Sequence, residues 1–461
     1  MARLGSAVTA SAVVMPPAEE ERRILRSRFV RSTAGVLALK VGFVGFSFPL
    51  SVALARLLGA VEYGAYTYAF AWMVLLAVPA ILGMDQLIVR DVAAYHLKSD
   101  WASLKTLLKK ANQAVFTASS LLVLAAACFS WVIAGELGPR GVATFLLALL
   151  LLPLITLTRL RQSALQGLHH VAAGLLPEML VQPVVLLLLI GVAHATSMQA
   201  LTAPQAMGMN LVATGVAFLA GAEILRRFVP ETIQVAGAVF QRFSWASSVL
   251  PLMFLASAGV LFGQVDTLIV GAMKGARAVG VYGVADRGAE SIAFLFIAVG
   301  SVFAPTVSRM YAAGEMEKLQ RMVTKISRIT LLVSLPVAVV LIFFGQWLLN
   351  VFYGPQFVEG RGALAILSCG QLLNVGMGPV GMLLIMTGHE RNAALAIGIA
   401  AAGNIVLNLA MVPRWGLEGA ATANTLSLAL LNLLMAMWLA KKLGIQSWAL
   451  GRIRFRRPMT Q

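Results

Sequence analysis

The segment LLGAVEYGAYTYA at positions 57–69 returns as MKGARAVGVYGVA at 273–285. Gly59, Ala60, Gly64, Tyr66 and Ala69 thus stand opposite Gly275, Ala276, Gly280, Tyr282 and Ala285 at a constant offset of 216 residues. The same offset pairs Ala77 with Ala293, Tyr95 with Tyr311 and Lys109 with Lys325 without a gap. Matches among small residues carry little weight in a chain with 41 glycines, but one register kept over this distance marks an internal duplication. The chain is expected to fold as two related lobes.

What kind of lobe follows from hydropathy. Apolar residues make up 59% of the chain and charged residues 12%, and apolar runs long enough to cross a bilayer, about 20 residues each, recur throughout. We read twelve spans: 32–56, 64–89, 112–134, 141–165, 171–194, 204–225, 244–271, 281–305, 328–352, 362–387, 392–412 and 417–440. The predicted fold class is therefore all-α, a polytopic membrane protein of 12 transmembrane helices in two six-helix lobes. Six is even, so the second copy enters the bilayer from the same side as the first, and the repeat is parallel, related by an axis along the membrane normal.

A net charge of +17 would point to nucleic acid in a soluble protein, but here the cations alternate from loop to loop. Of 36 Lys and Arg, 28 fall on one side of the predicted topology, six on the other, and two, Lys40 and Arg287, inside spans. The positive-inside bias makes the rich side cytoplasmic and places both termini there. No nucleic-acid partner is expected.

The resulting division is a cytoplasmic tail over 1–31, an N-lobe over 32–226, a cytoplasmic linker over 227–243, a C-lobe over 244–440 and a basic cytoplasmic tail over 441–461. Residues 18–31, AEEERRILRSRFVR, set Ile24, Leu25 and Phe29 among five arginines, as in a short interfacial helix. A signal-peptide core is not found in this tail. Cys128 and Cys369 fall inside spans as small hydrophobes, and the five histidines lack metal-ligand spacing, so no disulfide, metal or cofactor is expected. Gly376-x-Gly378-x-x-Gly381 fits the dinucleotide fingerprint in letters only: no strand precedes it, and with Pro379 it reads as a kink or a close helix contact.

ALARLLGAVEYGAYTYA and LGMDQLIVRDVA in the first half resemble the recurring segments of a known family, as do QVDTLIVGAMKGARAVGVYGVADR, FAPTVSRMYAAGEMEKLQRM, FYGPQFVEGRGALAIL and VPRWGLEGAATAN in the second. The family is the polysaccharide-transport (O-antigen flippase-like) branch of the multidrug/oligosaccharidyl-lipid/polysaccharide exporter superfamily, and the likeness spans nearly all of 32–440. The resemblance implies a V-shaped bundle, without enzymatic activity, in the cell's inner (cytoplasmic) membrane. It would move a polyprenyl-pyrophosphate-linked oligosaccharide between leaflets by alternating access, for O-antigen or exopolysaccharide biosynthesis. Implied partners are the lipid-linked substrate, membrane lipids and glycosyltransferases or a polymerase of the same pathway. No gap between spans exceeds roughly 25 residues, so no ATPase or catalytic domain fits within the chain. Two alternatives stay open: a cation-coupled multidrug exporter of the same superfamily, and a non-transporting membrane subunit of a polysaccharide synthase.

Charges inside spans cost at least about 2.5–3.5 kcal/mol on insertion scales, so they call for a polar cavity or a partner. Lys40 lies eight residues into span 1, roughly 12 Å deep, and a pyrophosphate would supply its missing anion. Arg287 in span 8 and Asp266 in span 7 lie at similar depth and can meet as an outer gate. Asp286 and Glu290, at i and i+4, share one face of span 8 beside Arg287; this acidic pocket suggests an ion or proton role for Glu290, with a purely structural Glu290–Arg287 pair as the alternative. Asp85 and Arg90 close span 2 near the cytoplasm as a solvated ion pair or helix end-cap, with Asp85 also a gate candidate. Arg159 and Arg161 in span 4 can receive an entering pyrophosphate, or simply sit near the positive side. Asn404 and Asn408 in span 11, with Gln371 and Asn374 in span 10, form polar stripes suited to sugar hydroxyls or to interhelical bonding.

Overall fold

The computed structural model describes residues 18–132, 134–196, 200–229 and 246–449. Residues 1–17, most of the predicted linker and 450–461 lie outside that set. Among the described residues there are helices and turns and no strands.

The elements run α1 (Ala18–Ile81), α2 (Met84–Leu97), α3 (Trp101–Val132), α4 (Ala134–Gly167) and α5 (Val171–Leu176). A π-helical turn, Pro177–Val181, joins α5 to α6 (Gln182–Thr196), and α7 (Ala203–Phe228) ends the first half. The second half holds α8 (Ala246–Ala312), α9 (Met316–Leu348), a π turn (Leu349–Tyr353) and a 3-10 turn (Pro355–Gly360). It closes with α10 (Arg361–Met377), α11 (Val380–Met386) and α12 (Glu390–Leu443). Among the described residues eight helices are long and apolar enough to cross a membrane, and α10 with α11, bent by 41°, makes a ninth span. Three of them, α1, α8 and α12, are each two spans joined at a non-helical glycine: Gly59, Gly275 and Gly416. Nine spans with three doubled give the twelve expected.

The joints explain why the repeat is rich in glycine. Gly59 sits at φ 72°, ψ 172° and its counterpart Gly275 at φ 80°, ψ 179°, a conformation essentially closed to residues with a Cβ. The chain reverses there without a loop, so a second span begins within a residue or two of the first. A second pair obeys the same offset: Gly138 (φ 67°, ψ 168°) before Pro139 and Gly354 (φ 106°, ψ 169°) before Pro355. The proline supplies the first residue of the following helix, where its missing N–H costs nothing.

Helices also run past the expected spans. α3 begins at Trp101, ahead of the predicted 112, where Asp100 caps it by accepting from the Ser103 N–H at 3.1 Å. The Ser103 hydroxyl, and then its N–H, hold the Asp100 carboxyl below the usual range. The predicted interfacial segment at 18–31 is continuous with the first span within α1.

The lobes pack through α1 against α8, and the tightest point is built from the duplicated segments themselves. A Cβ on Gly64 would collide with the Ala276 carbonyl and the Gly280 backbone; a Cβ on Gly280 would collide with the Ala60 carbonyl and the Gly64 amide. Each copy thus touches its own equivalent across a pseudo-two-fold axis, and small residues let the two backbones cross at van der Waals distance. The crossing is braced by the turn after α9. Gln356 Oε1 accepts from the Ala60 N–H at 3.0 Å, Arg56 donates to the carbonyls of Phe352 and Val351, and the Ser51 and Tyr353 hydroxyls lie 3.1 Å apart. Tyr63 meets Phe357 edge to face at 6.2 Å. One end of the interface between lobes is therefore sealed.

The Gly376–Gly381 motif has a structural role. The helix breaks at Gly378, and the extended segment after α12 lies against the break. Ala449 N–H donates to Gly376 O at 3.1 Å and Ser447 Oγ to Met377 O at 2.8 Å. Gln320, Ser327 and Arg328 of α9 hold the same segment from the other side through the carbonyls of Gln446, Ser447 and Ala449. This strap ties α9 to α10 at the end away from the seal.

Candidate functional site

Below the seal, Arg287 and Glu290 of α8 are both exposed, yet Tyr63 and Tyr66 of α1 and Tyr353 of the α9 turn lie within electrostatic range of Arg287. Arg287 is thus exposed between groups contributed by both lobes, in the wall of a cleft between them. Among the described residues no carboxylate comes within ion-pair distance of this guanidinium, Glu290 included, so its charge is open to a ligand.

The expected meeting of Asp266 with Arg287 does not occur. Asp266 is only 3% exposed. Its carboxylate accepts from Asn408 Nδ2 at 2.6 Å and from Asn424 Nδ2, and Asn404 is bonded to Asn408 in turn. Amide partners from α12 hold the carboxylate turned into the C-lobe, away from the cleft that Arg287 faces. Tyr282 stands beside it, and the Tyr282 hydroxyl, Asn404 Nδ2 and Asn408 Oδ1 are buried without a hydrogen-bond partner. Unpaired polar atoms around a buried carboxylate are costly. The Asp266 carboxylate, Asn408 Oδ1 and the Tyr282 hydroxyl oxygen together offer lone pairs to a proton or a small monovalent cation, whereas Asn404 Nδ2 can only donate. Asp286 lies within electrostatic range of Glu290, Asp266 and Arg287, linking this cluster to the cleft.

Sequence reasoning found Asp266, Asn404 and Asn408 but not Asn424 or Tyr282 as their neighbours. Tyr282 was visible as a repeated position, and Asn424 closes VPRWGLEGAATAN; only the fold brings them to a residue more than 140 positions away for Asn424.

In the N-lobe, Lys40 is half buried in α1 and makes no ion pair or hydrogen bond among the described residues. Arg159 approaches Glu178 at 3.7 Å. Both line a cleft of about 440 Å3 that also takes in Asp85, and a smaller cavity of about 70 Å3 deeper in the lobe. Glu178 comes from the π turn, whose wider pitch rotates it inward, as such turns do at many functional sites; no sequence signal marked it. Arg161 points elsewhere: its guanidinium lies 3.8 Å above the Phe218 ring and donates to Phe218 O at 2.9 Å. Gln371 and Asn374 join a ladder to Asn432 that ties α10 to α12, with Asn432 Nδ2 donating to Asn374 Oδ1 at 2.9 Å.

Two six-span lobes, sealed at one end and enclosing a charged cleft, define a polytopic membrane protein with a transporter fold. The polysaccharide biosynthesis protein family matches residues 29–311, and the chain belongs to it; the MatE family also matches, over 244–410. Among curated relatives, the probable low-salt glycan biosynthesis flippase Agl15 of Haloferax volcanii is 24% identical over 92% of this chain and 85% of its own length. The uncharacterized membrane protein MJ1068 of Methanocaldococcus jannaschii is also 24% identical, but over 35% of this chain and only 32% of that protein. Among solved structures, an inward-facing multidrug resistance MATE transporter of the MOP superfamily superposes at a TM-score of 0.70 with 12% identity, over 88% of this chain and 98% of that one. The lipid II flippase MurJ in an inward closed conformation gives 0.66 with 16% identity, over 89% and 87%. Identities this low establish the fold alone.

Proposed function

We propose that this protein is a flippase that carries a polyprenyl-pyrophosphate-linked oligosaccharide across the cytoplasmic membrane by alternating access, with both termini cytoplasmic. The observation that carries the reading is the free Arg287 guanidinium in a cleft between lobes whose far end is closed by the two copies of the repeat. The cation asymmetry puts that seal on the outer side, so the cleft opens toward the cytoplasm. There Lys40 and Arg287, each without an anion partner among the described residues, receive the pyrophosphate while the polyprenyl chain stays in lipid. Parting of the Gly64–Gly280 crossing, with closure of the opposite end, turns the cleft outward. Kinship with a flippase named for glycan biosynthesis supports this substrate class.

The drive is assigned to the C-lobe. Asp266, with Asn404, Asn408 and Asn424, binds a proton or monovalent cation, and Asp286 and Glu290 carry its effect to Arg287. That acidic cluster also favours the second reading, a cation-coupled multidrug exporter. Proteoliposomes separate the two. A flippase moves a fluorescent polyprenyl-pyrophosphoryl sugar, and Lys40→Ala or Arg287→Ala reduces that flux at least tenfold. An exporter moves lipophilic cations and ignores the lipid-linked sugar, an outcome that would reject the flippase reading.

A further inference from the structure

The cleft of about 440 Å3 in the N-lobe falls within the 300–1,000 Å3 of typical small-molecule sites. Its wall is unusual for a membrane protein. Gln86, Gln162 and Gln166 line it beside Asp85, and none of these four side chains has a hydrogen-bond or ion-pair partner among the described residues. Several glutamines elsewhere in the fold are committed: Gln182 donates to Asn210 and Thr214, both at 3.1 Å, and Gln320 and Gln356 hold backbone groups across the interior. Three free amides converging on one cavity offer both donors and acceptors at close spacing, which is what a ring of hydroxyl and acetamido groups requires.

Charge narrows the ligand further. Arg159 is offset by Glu178 at 3.7 Å, which leaves Asp85 as the uncompensated charge in the wall. A sugar carboxylate entering here would face that carboxylate, whereas hydroxyls would donate to it. Phe43 of α1 is exposed toward the same cavity and presents an apolar face for one side of a pyranose ring. Lys40 precedes Phe43 by three residues and so shares its helix face, about 4.5 Å nearer the open end. A pyrophosphate on Lys40 and a sugar against Phe43 are thus one substrate in one orientation.

We infer that this N-lobe cleft is the subsite for the first sugar of the lipid-linked glycan and that it selects a neutral, hydroxyl- and acetamido-bearing sugar over an anionic one. The inference rests on the flippase reading and adds to it the chemistry of the headgroup. Selection works both ways, through amides satisfied only by a polar neutral sugar and through repulsion of a uronate by Asp85.

The test uses the full chain in proteoliposomes with three fluorescent lipids: polyprenyl pyrophosphate alone, the same lipid bearing one N-acetylhexosamine, and the same lipid bearing one hexuronic acid. Wild type is expected to move the N-acetylhexosamine lipid at least tenfold faster than the uronate. Gln162→Ala with Gln166→Ala removes that advantage about tenfold while flux of the sugar-free lipid holds, which also shows that the variant is folded. Asp85→Asn raises flux of the uronate lipid relative to the N-acetylhexosamine lipid, so the preference falls, while flux of the sugar-free lipid holds. Equal rates for the two sugars in wild type, or an unchanged preference in the double variant, would overturn the subsite alone. Failure of wild type to move any of the three would overturn the flippase reading together with it.

Discussion

Tyr66 and Tyr282 occupy the same position in the two copies of the repeat, yet their surroundings have diverged. In the N-lobe its hydrogen-bond network among the described residues is neutral: Asn210 Nδ2 donates to Tyr66 Oη at 3.0 Å, and Gln182 donates to Asn210 and Thr214, both at 3.1 Å. In the C-lobe the tyrosine stands beside Asp266 and its asparagines. At the offset of 216, the position matching Asp266 is Leu50, and the positions matching Arg159 and Gln162 are Val375 and Gly378. Charge that one copy buries beside its tyrosine is absent from the other, and the polar cleft of the first becomes apolar helix and strap contact in the second. Duplication has kept the parts that must meet, Gly64 with Gly280, and on the reading proposed above it released the rest to separate tasks: sugar recognition in the N-lobe and ion binding in the C-lobe, with Lys40 and Arg287 sharing the pyrophosphate.

The largest expected effect comes from disturbing what the copies share. Gly280→Val places a side chain against the Ala60 carbonyl, backbone that cannot move aside; overpacking of this kind typically costs about 1–3 kcal/mol. The seal should then lose its hold, turning the population toward the outward-open state and reducing flux at least tenfold. Spin labels on α1 and α8 would report the separation. Gly208→Ala, in a helix with nothing within 4 Å of the added carbon, should behave as wild type.

Next in size are changes confined to the C-lobe cluster. Asp266→Asn should abolish dependence of flux on an imposed pH or sodium gradient, measured in proteoliposomes, while binding of the lipid-linked sugar persists. Gradient dependence that survives would place the drive elsewhere. Truncation after Leu443 removes the strap and its bonds to α9 and α10. It should lower the thermal midpoint in detergent and spare gradient dependence.

Smallest is Tyr66→Phe. It deletes one neutral hydrogen bond, worth about 0.6 kcal/mol on average within membranes. The thermal midpoint should fall slightly and coupling should not change. Loss of coupling in Tyr66→Phe would erase the division of labour between lobes.

Much of this was legible because it is periodic. Apolar runs gave the twelve spans, and the Gly59 and Gly275 segments gave the duplication. The Gly138-Pro139 and Gly354-Pro355 turns obey the same offset but hold too few residues to stand out from a glycine-rich background. Polar side chains were found as individuals and not as groups. Asp266 was expected to meet Arg287 on depth alone; the amides of Asn408 and Asn424 that hold it are set by the packing of α12, which depth along one helix does not reveal. Arg161 read like Arg159, two residues away on the same helix, yet that spacing turns it to another face, toward Phe218. The strap at 445–449 is short and extended, without periodicity, so nothing marked its hold on Gly376 and Met377.

Alternating access requires that the seal formed by Ser51, Tyr353 and the glycine crossing open in every cycle. The direct measurement is flux of the N-acetylhexosamine lipid through Ser51→Cys/Tyr353→Cys protein, in a background free of Cys128 and Cys369, after bridging with a short disulfide-containing bifunctional thiol reagent. The account predicts that flux falls to that of protein-free vesicles when the bridge is complete and returns when the reagent is reduced. Undiminished flux through fully bridged protein would contradict it.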